Sequence, residues 1–153
     1  MRGKWLTVAA ICTLGVMGGG AVVAAAGTDI TSPETISAHG TQTRARYIDE
    51  GKPGEGPGDV SMFVESLSDA SGAVIGSLRV TCTAQIGGWG MCEGVFTIDG
   101  RGQIVGSTLV APKATGVDVP ITGGSGDFAN VRGEDHIEFV SPTEEHHTLD
   151  LLP

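Results

Sequence analysis

Residues 73–98 read AVIGSLRVTCTAQIGGWGMCEGVFTI, and the architecture follows from how they pair. Two runs rich in β-formers, 73–85 and 90–98, flank a break at Gly87-Gly88. Pairing Cys82 with Cys92 centres the connection on Gly87. In that register Leu78, Val80, Cys82 and Ala84 share a face with Cys92, Gly94, Phe96 and Ile98. Ser77, Arg79, Thr81, Thr83, Gln85, Glu93 and Thr97 take the other. A half-buried antiparallel pair needs one apolar and one polar face, because successive strand side chains point to opposite sides. The stretch therefore predicts a β-hairpin stapled on its apolar side.

The same signature recurs outward along the chain. Upstream, 41–49 (TQTRARYID) alternates as a first strand, 51–59 (GKPGEGPGD) is a loop, and 60–67 (VSMFVESL) is a second strand. Downstream, Asp99-Gly100 makes a hairpin turn. Strands follow at 103–110 (QIVGSTLV), 117–122 (VDVPIT), 134–140 (EDHIEFV) and 146–152 (HHTLDLL). Residues 123–133 (GGSGDFANVRG) read as a loop or short helical turn, and Pro120 marks its strand as bent or near an edge. Eight short strands with no useful helical period predict an all-β chain. The count and the up-down hairpins point to an eight-stranded antiparallel β-barrel, with a sandwich left open by periodicity. The 25 glycines among 153 residues fit turns between short strands, since no G-X-Y period is present.

The N-terminal segment is read apart from the fold. Arg2 and Lys4 precede an uncharged stretch from Trp5 to Ala26, and Ala24-Ala25-Ala26 offers a small-residue cleavage site. This is the pattern of a secretory signal peptide over 1–26, with a retained membrane anchor as the competing reading. A flexible leader over 27–40 and one barrel domain over 41–153 follow. Cleavage removes two of the nine basic residues and none of the 18 acidic ones, moving the net charge from −9 to −11. Such a charge argues against nucleic acid and anionic membrane surfaces as partners. Of the three cysteines, Cys12 leaves with the signal, and export would oxidise Cys82 and Cys92 to a disulfide. That bridge is worth about 3 kcal/mol on the chain-entropy model.

Residues 54–67 (GEGPGDVSMFVESL), the DASG turn and AVIGSLRVTC after them resemble the opening strands of the allene oxide cyclase/dirigent barrel superfamily. Residues 121–133 (ITGGSGDFANVRG) resemble its Gly-Gly-Thr-Gly-x-Phe/Tyr stretch ending in Ala-Arg-Gly, with Ser125 for the Thr and Val131 for the Ala. The likeness runs from about Thr41 to Pro153. It implies an eight-stranded barrel around a cavity, no metal or organic cofactor, and a trimer, as in many plant members. It also implies two chemistries. Cyclases of this kind steer ring closure, while dirigent proteins orient radicals made elsewhere. In both, shape and a few polar groups act by positioning.

On this resemblance Glu65 matches an acidic position of the second strand, where it would steer a cation or take a proton. Arg132 matches the motif arginine, where it would hold a carboxylate or developing oxyanion. Asp127 sits where dirigent-type members often carry an acid. Each has a structural alternative: an exposed strand carboxylate for Glu65, an ion pair with Asp127 or Glu134 for Arg132, and a turn cap for Asp127. Gly123, Gly124 and Gly126 serve backbone geometry, because neither a phosphate loop nor a nucleophile elbow is completed. Glu144-Glu145-His146-His147, with His136, reads as a solvated charge run, since His146 and His147 point to opposite faces and cannot share one ion. Trp89 reads as a hairpin tip packing back on the barrel.

The expectation is a secreted, cofactor-free barrel that binds a small hydrophobic reactive molecule and orients it for stereoselective cyclisation or isomerisation. The alternative is a non-catalytic dirigent-like or plain ligand-binding barrel. The interior discriminates. An open cavity with Glu65 or Arg132 inside supports a ligand role, and a filled barrel with both outside removes it.

Overall fold

The computed structural model describes residues 29–153, so the expected signal sequence lies outside the described residues. Eight strands follow: β1 (Glu34–Ile48), β2 (Val60–Ser68), β3 (Val74–Ala84), β4 (Gly90–Ile98), β5 (Gly102–Val110), β6 (Gly116–Gly126), β7 (Arg132–Ser141) and β8 (Glu144–Leu152). Each pairs antiparallel with its chain neighbours, and β1 closes on β8, giving a closed up-and-down barrel rather than a sandwich. Closure pairs every strand on both sides, although β5 and β6 pair only from Gly102–Gly126 to Gly106–Ile121. Among the described residues no helix is long and apolar enough to cross a membrane.

The β3–β4 hairpin has the register read from the cysteines. Cys82 pairs with Cys92, Val80 with Gly94 and Leu78 with Phe96. The cystine joins the two strands directly, with Cα atoms 4.0 Å apart. Its apolar face points into the lumen.

Two boundaries are corrected. The first strand starts at Glu34, so residues 34–40, expected in the flexible leader, pair with β8 from Glu34–Leu151 to Thr41–Glu144. Its inward positions there are Ile36, Ala38 and Gly40, too small in sum to write a hydrophobic stripe. Gly123–Gly126, expected in a loop, continues β6 against β5. A Cβ at Gly124 would fall 2.6 Å from the Phe128 carbonyl oxygen, so only glycine lets this strand pass beneath the following loop. Pro120 lies beside the register shift at Val105/Gly106, where the ladder to β5 is already broken.

The two ends of the barrel differ. At the end that gathers the β2–β3, β4–β5 and β6–β7 turns, the lumen is packed solid by Leu67, Leu78, Ile98, Ile104, Leu149 and Leu151. Phe128 and Val131, in the β6–β7 turn, fold back as a plug and are fully buried. Asn130 between them adopts the left-handed conformation (φ 65°) that asparagine tolerates best after glycine. Arg101, in the β4–β5 turn, holds the plug down. Its two terminal nitrogens donate to Glu34 at 2.6 and 2.8 Å, and its Nε donates to Asp127 at 3.4 Å. Its guanidinium lies 4.6 Å from the Phe128 ring centroid.

The other end is open. A cavity of about 380 Å³ lies there, reaching Pro142 of the β7–β8 turn. Its walls include Phe63, Val80, the cystine, Val119, Ile137 and Phe139. Gly94 and Gly106, directly paired across β4 and β5, both face it and leave that wall without side chains.

Truncating the plug should damage stability and spare the open end. Phe128→Ala is expected to cost about 3–5 kcal/mol, the usual loss for a fully buried Phe. Urea unfolding of the variant measures it, and a loss below about 1 kcal/mol would show that the plug is not part of the core.

Candidate functional site

Between plug and cavity the lumen turns polar. Alternation along β8 sends Glu145, His147, Leu149 and Leu151 inward and Glu144, His146, Thr148 and Asp150 outward. The same rule brings Asp135 in from β7 and Glu65 in from β2. His147 is 1% exposed and Asp135 0%. The His147 Nδ1–H donates to Asp135 Oδ2 at 3.0 Å, and its Nε2–H donates to Glu65 Oε2 at 3.4 Å. Glu145 Oε2 lies 3.7 Å from the same Nε2, on the cavity side. The Phe96 ring meets the imidazole edge-on at 5.3 Å.

Room for this cluster comes from β1. A Cβ at Gly40 would collide with Glu65 Oε2 and come within 3.1 Å of His147 Nε2. A glycine on the neighbouring strand is therefore what allows carboxylate and imidazole to meet.

The cluster sets its own protonation. Burial alone would lower the His147 pKa, but its hydrogen bonds to Asp135 and Glu65 outweigh that and push it up to about 9. The imidazole is thus an imidazolium at neutral pH, donating from both nitrogens. Burial, then the Glu65 charge, push Glu145 up to about 7, with His147 opposing. A carboxyl that titrates near neutrality can both give and take a proton. Glu65, Glu145 and His147 place one donor atom each within 4.8 Å of one another. A cation there would have to displace the Nε2 proton that already bonds Glu65. Asp135 Oδ1 is buried without a hydrogen-bond partner among the described residues, and Asp135 lines the cavity.

The residues named from sequence do not assemble as a group. Glu65 is inside, behind Asp135 and Glu145 as seen from the cavity. Asp127 is at the plugged end with Arg101. Arg132 is exposed, and its guanidinium donates to the Asn130 and Val131 carbonyls at 3.2 and 2.9 Å. An Arg132 that holds a ligand carboxylate and an Asp127 that faces the cavity are both corrected, because the motif carrying them builds the plug.

The charge-run reading of 144–147 is also corrected. It holds for His146, which packs against His39, and for His136, which pairs with Asp118 at 2.7 Å on the outer face. It fails for Glu145 and His147. The signal was present: the alternation that separates His146 from His147 joins His147 to Glu145, ahead of two inward leucines. Trp89 sits half-exposed at the hairpin tip beside a second hollow shared with Tyr47 and does not line the cavity.

No protein-family model matches the sequence, and no curated protein matches it. Solved structures do. A protein named pyocyanin demethylase is 27% identical, with a TM-score of 0.69, over 78% of this chain and 100% of its own. The Diels-Alderase AbmU from Streptomyces koyangensis is 16% identical, with a TM-score of 0.60, over 77% of this chain and 67% of its own. The pterocarpan synthase dirigent protein GePTS1 is 13% identical, with a TM-score of 0.63, over 88% of this chain and 95% of its own. The fold is thus that of cyclase and dirigent barrels.

The cluster makes stability depend on pH. His147 and Glu145 titrate at about 9 and 7 when folded, against ordinary values of 6.5 and 4.5. A raised pKa gives stability that is complete below the ordinary value and lost as pH rises through the folded one. Glu34, Asp59 and Asp69 are lowered, chiefly by hydrogen bonds from Arg101, Tyr47 and Ser71 respectively, and lose their contribution as pH falls. Stability should therefore peak in mild acid, then decline in two steps, across about pH 4.5–7 with Glu145 and across about pH 6.5–9 with His147. Glu145→Gln should erase the first step and keep the second. Urea midpoints across this range check it, and a flat profile would mean the cluster is not protonated as described.

Proposed function

We propose that the chain is an exported barrel that binds a small, largely apolar molecule in its open cavity and moves a proton on it, promoting isomerisation or ring closure. The observation that carries this reading is an apolar cavity ending on a buried Asp135–His147–Glu65 network. Apolar walls position a ligand, and convergent ionisable groups at the inner end supply the chemistry.

The residues divide by reach. Glu145 and Asp135 both line the cavity, Asp135 from a fully buried position. Glu145 is the acid–base group, because its carboxyl changes protonation near neutral pH. His147 and Glu65 stand behind as positioning residues, holding Asp135 and fixing the charge beside Glu145. Proton transfer of this kind contributes about 10²–10⁴ in rate, and holding the ligand in one conformer adds to it. Export and cleavage after Ala26 belong to the same proposal, and so does assembly as a trimer.

A demethylation reading has one observation in its favour. The protein named pyocyanin demethylase aligns along its full length at 27% identity. Pyocyanin is therefore a defined first probe, with loss of its methyl group read by mass spectrometry.

Native mass spectrometry of protein purified from its own culture supernatant tests the main reading. The expected species has lost residues 1–26 and carries a small molecule. Gly94→Leu, which fills the bare wall without touching the cluster, should abolish that adduct. Once the adduct or pyocyanin provides a turnover assay, Glu145→Gln should slow it by about 10²–10⁴ with the ligand still bound. An adduct untouched by Gly94→Leu, or turnover untouched by Glu145→Gln, would overturn the assignment.

A further inference from the structure

The charges around the cavity are one-sided. Glu65 from β2, Asp135 from β7 and Glu145 from β8 converge on one imidazole, also from β8. The lining residues from β3, β4, β5 and β6 are not ionisable, and among the described residues no Lys or Arg lines the cavity. With His147 protonated and all three carboxylates ionised, the cluster carries two more negative charges than positive. The chain as a whole carries −9.

One acceptor is left over. Asp135 spends Oδ2 on His147, while Oδ1 is fully buried and has no donor among the described residues. A buried carboxylate oxygen without a donor is costly, and native structures rarely leave one so. This oxygen belongs to a side chain that lines the cavity, where a ligand can supply the missing donor. Three aromatic rings, Phe63, Phe96 and Phe139, stand on the same walls. Ring faces attract cations and repel anions.

We propose that the ligand carries a protonated or permanently cationic nitrogen, seated between Asp135 and Glu145 at the inner end of the cavity, with its apolar body against the Phe walls. This rests on the cavity being the ligand site and names the class of molecule it takes. Molecules whose polar end is a carboxylate are rejected, because that end would meet Asp135 and Glu145, backed by Glu65, and no free cation among the lining residues. Arg132, the residue suited to hold such a carboxylate, is on the outside.

Isothermal titration near neutral pH with three molecules of one shape tests the idea: 1-naphthylmethylamine, 1-naphthylmethanol and 1-naphthoate. The amine is expected to bind at least about tenfold more tightly than the alcohol, as a charge-assisted hydrogen bond gives over a neutral one, and the carboxylate not at all. Asp135→Asn should bring the amine down to the level of the alcohol without weakening the alcohol. If that variant fails to fold, Glu145→Gln should reduce the amine's advantage in the same direction. Equal binding of amine and alcohol, or tightest binding of the carboxylate, would overturn cation selection and leave the cavity a binding site. Failure of all three to bind would overturn both the selection and the cavity reading.

Discussion

The imidazolium of His147, bonded on one side to Asp135 and on the other to Glu65, is the contact on which the interior depends. Taking charges out of water costs several kcal/mol per ion, and a packed apolar replacement is often as stable or more so. The chain accepts this cost at the one level where the lumen changes from solid to open. Remove the positive charge, and three carboxylates from three strands face each other in a space of low dielectric. Keep it, and two of them become hydrogen-bond acceptors with fixed geometry. The third, Glu145, is left on the cavity side with a proton it can exchange. The inward glycine of β1, Gly40, exists in this arrangement to make room for that contact.

Each strand that enters this level changes character along its length. On β8 the inward sequence runs Glu145, His147, Leu149, Leu151. On β2 it runs Phe63, Glu65, Leu67, with the charge flanked by apolar residues on both sides. The same pleat that alternates in and out thus also sorts the inside by depth. Leucines collect against the plug, charges form a floor, and small or aromatic residues line the opening. Arg101 completes the closed end by tying the start of β1, the β6–β7 turn and the Phe128 ring to one guanidinium. The rigid end thereby fixes the floor, and the floor fixes the geometry of the open end.

The barrel was legible in the sequence because its signals are local. Alternation, Gly turns and two cysteines at hairpin spacing define strands and register without knowledge of the rest. Residues 34–40 escaped because only one of their three inward residues, Ile36, is a large hydrophobe. A strand whose lumen side is Ile36, Ala38 and Gly40 has little hydrophobic contrast to show. The cluster was only partly legible for a different reason. Glu65 was singled out, but its partners lie 70 and 82 positions away, and nothing local marks Asp135 or His147 as buried. The Glu144–His147 run looks like solvated surface when read as a block. Only when split by strand parity does it yield an outward pair and an inward pair.

The motif that resembles a known family most specifically, Gly123–Gly133, turns out to be scaffolding. Its glycines let β6 pass under the plug, its Phe128 and Val131 fill the closed end, and its Arg132 bonds loop carbonyls on the outside. This has a consequence for how function is assigned on this fold. A motif whose work is to close one end of a barrel will be shared by barrels of any activity. Three solved structures that share the fold are named for a demethylation, a cycloaddition and a pterocarpan synthesis. Chemistry so varied on one scaffold has to reside in residues the scaffold does not need. In this chain the proposed site puts it at the inward positions of β7 and β8 above the leucines, where Asp135, Glu145 and His147 could be exchanged for apolar residues with no loss of the strand pattern. That they are charged, at a cost in burial, is the strongest statement the sequence makes about function.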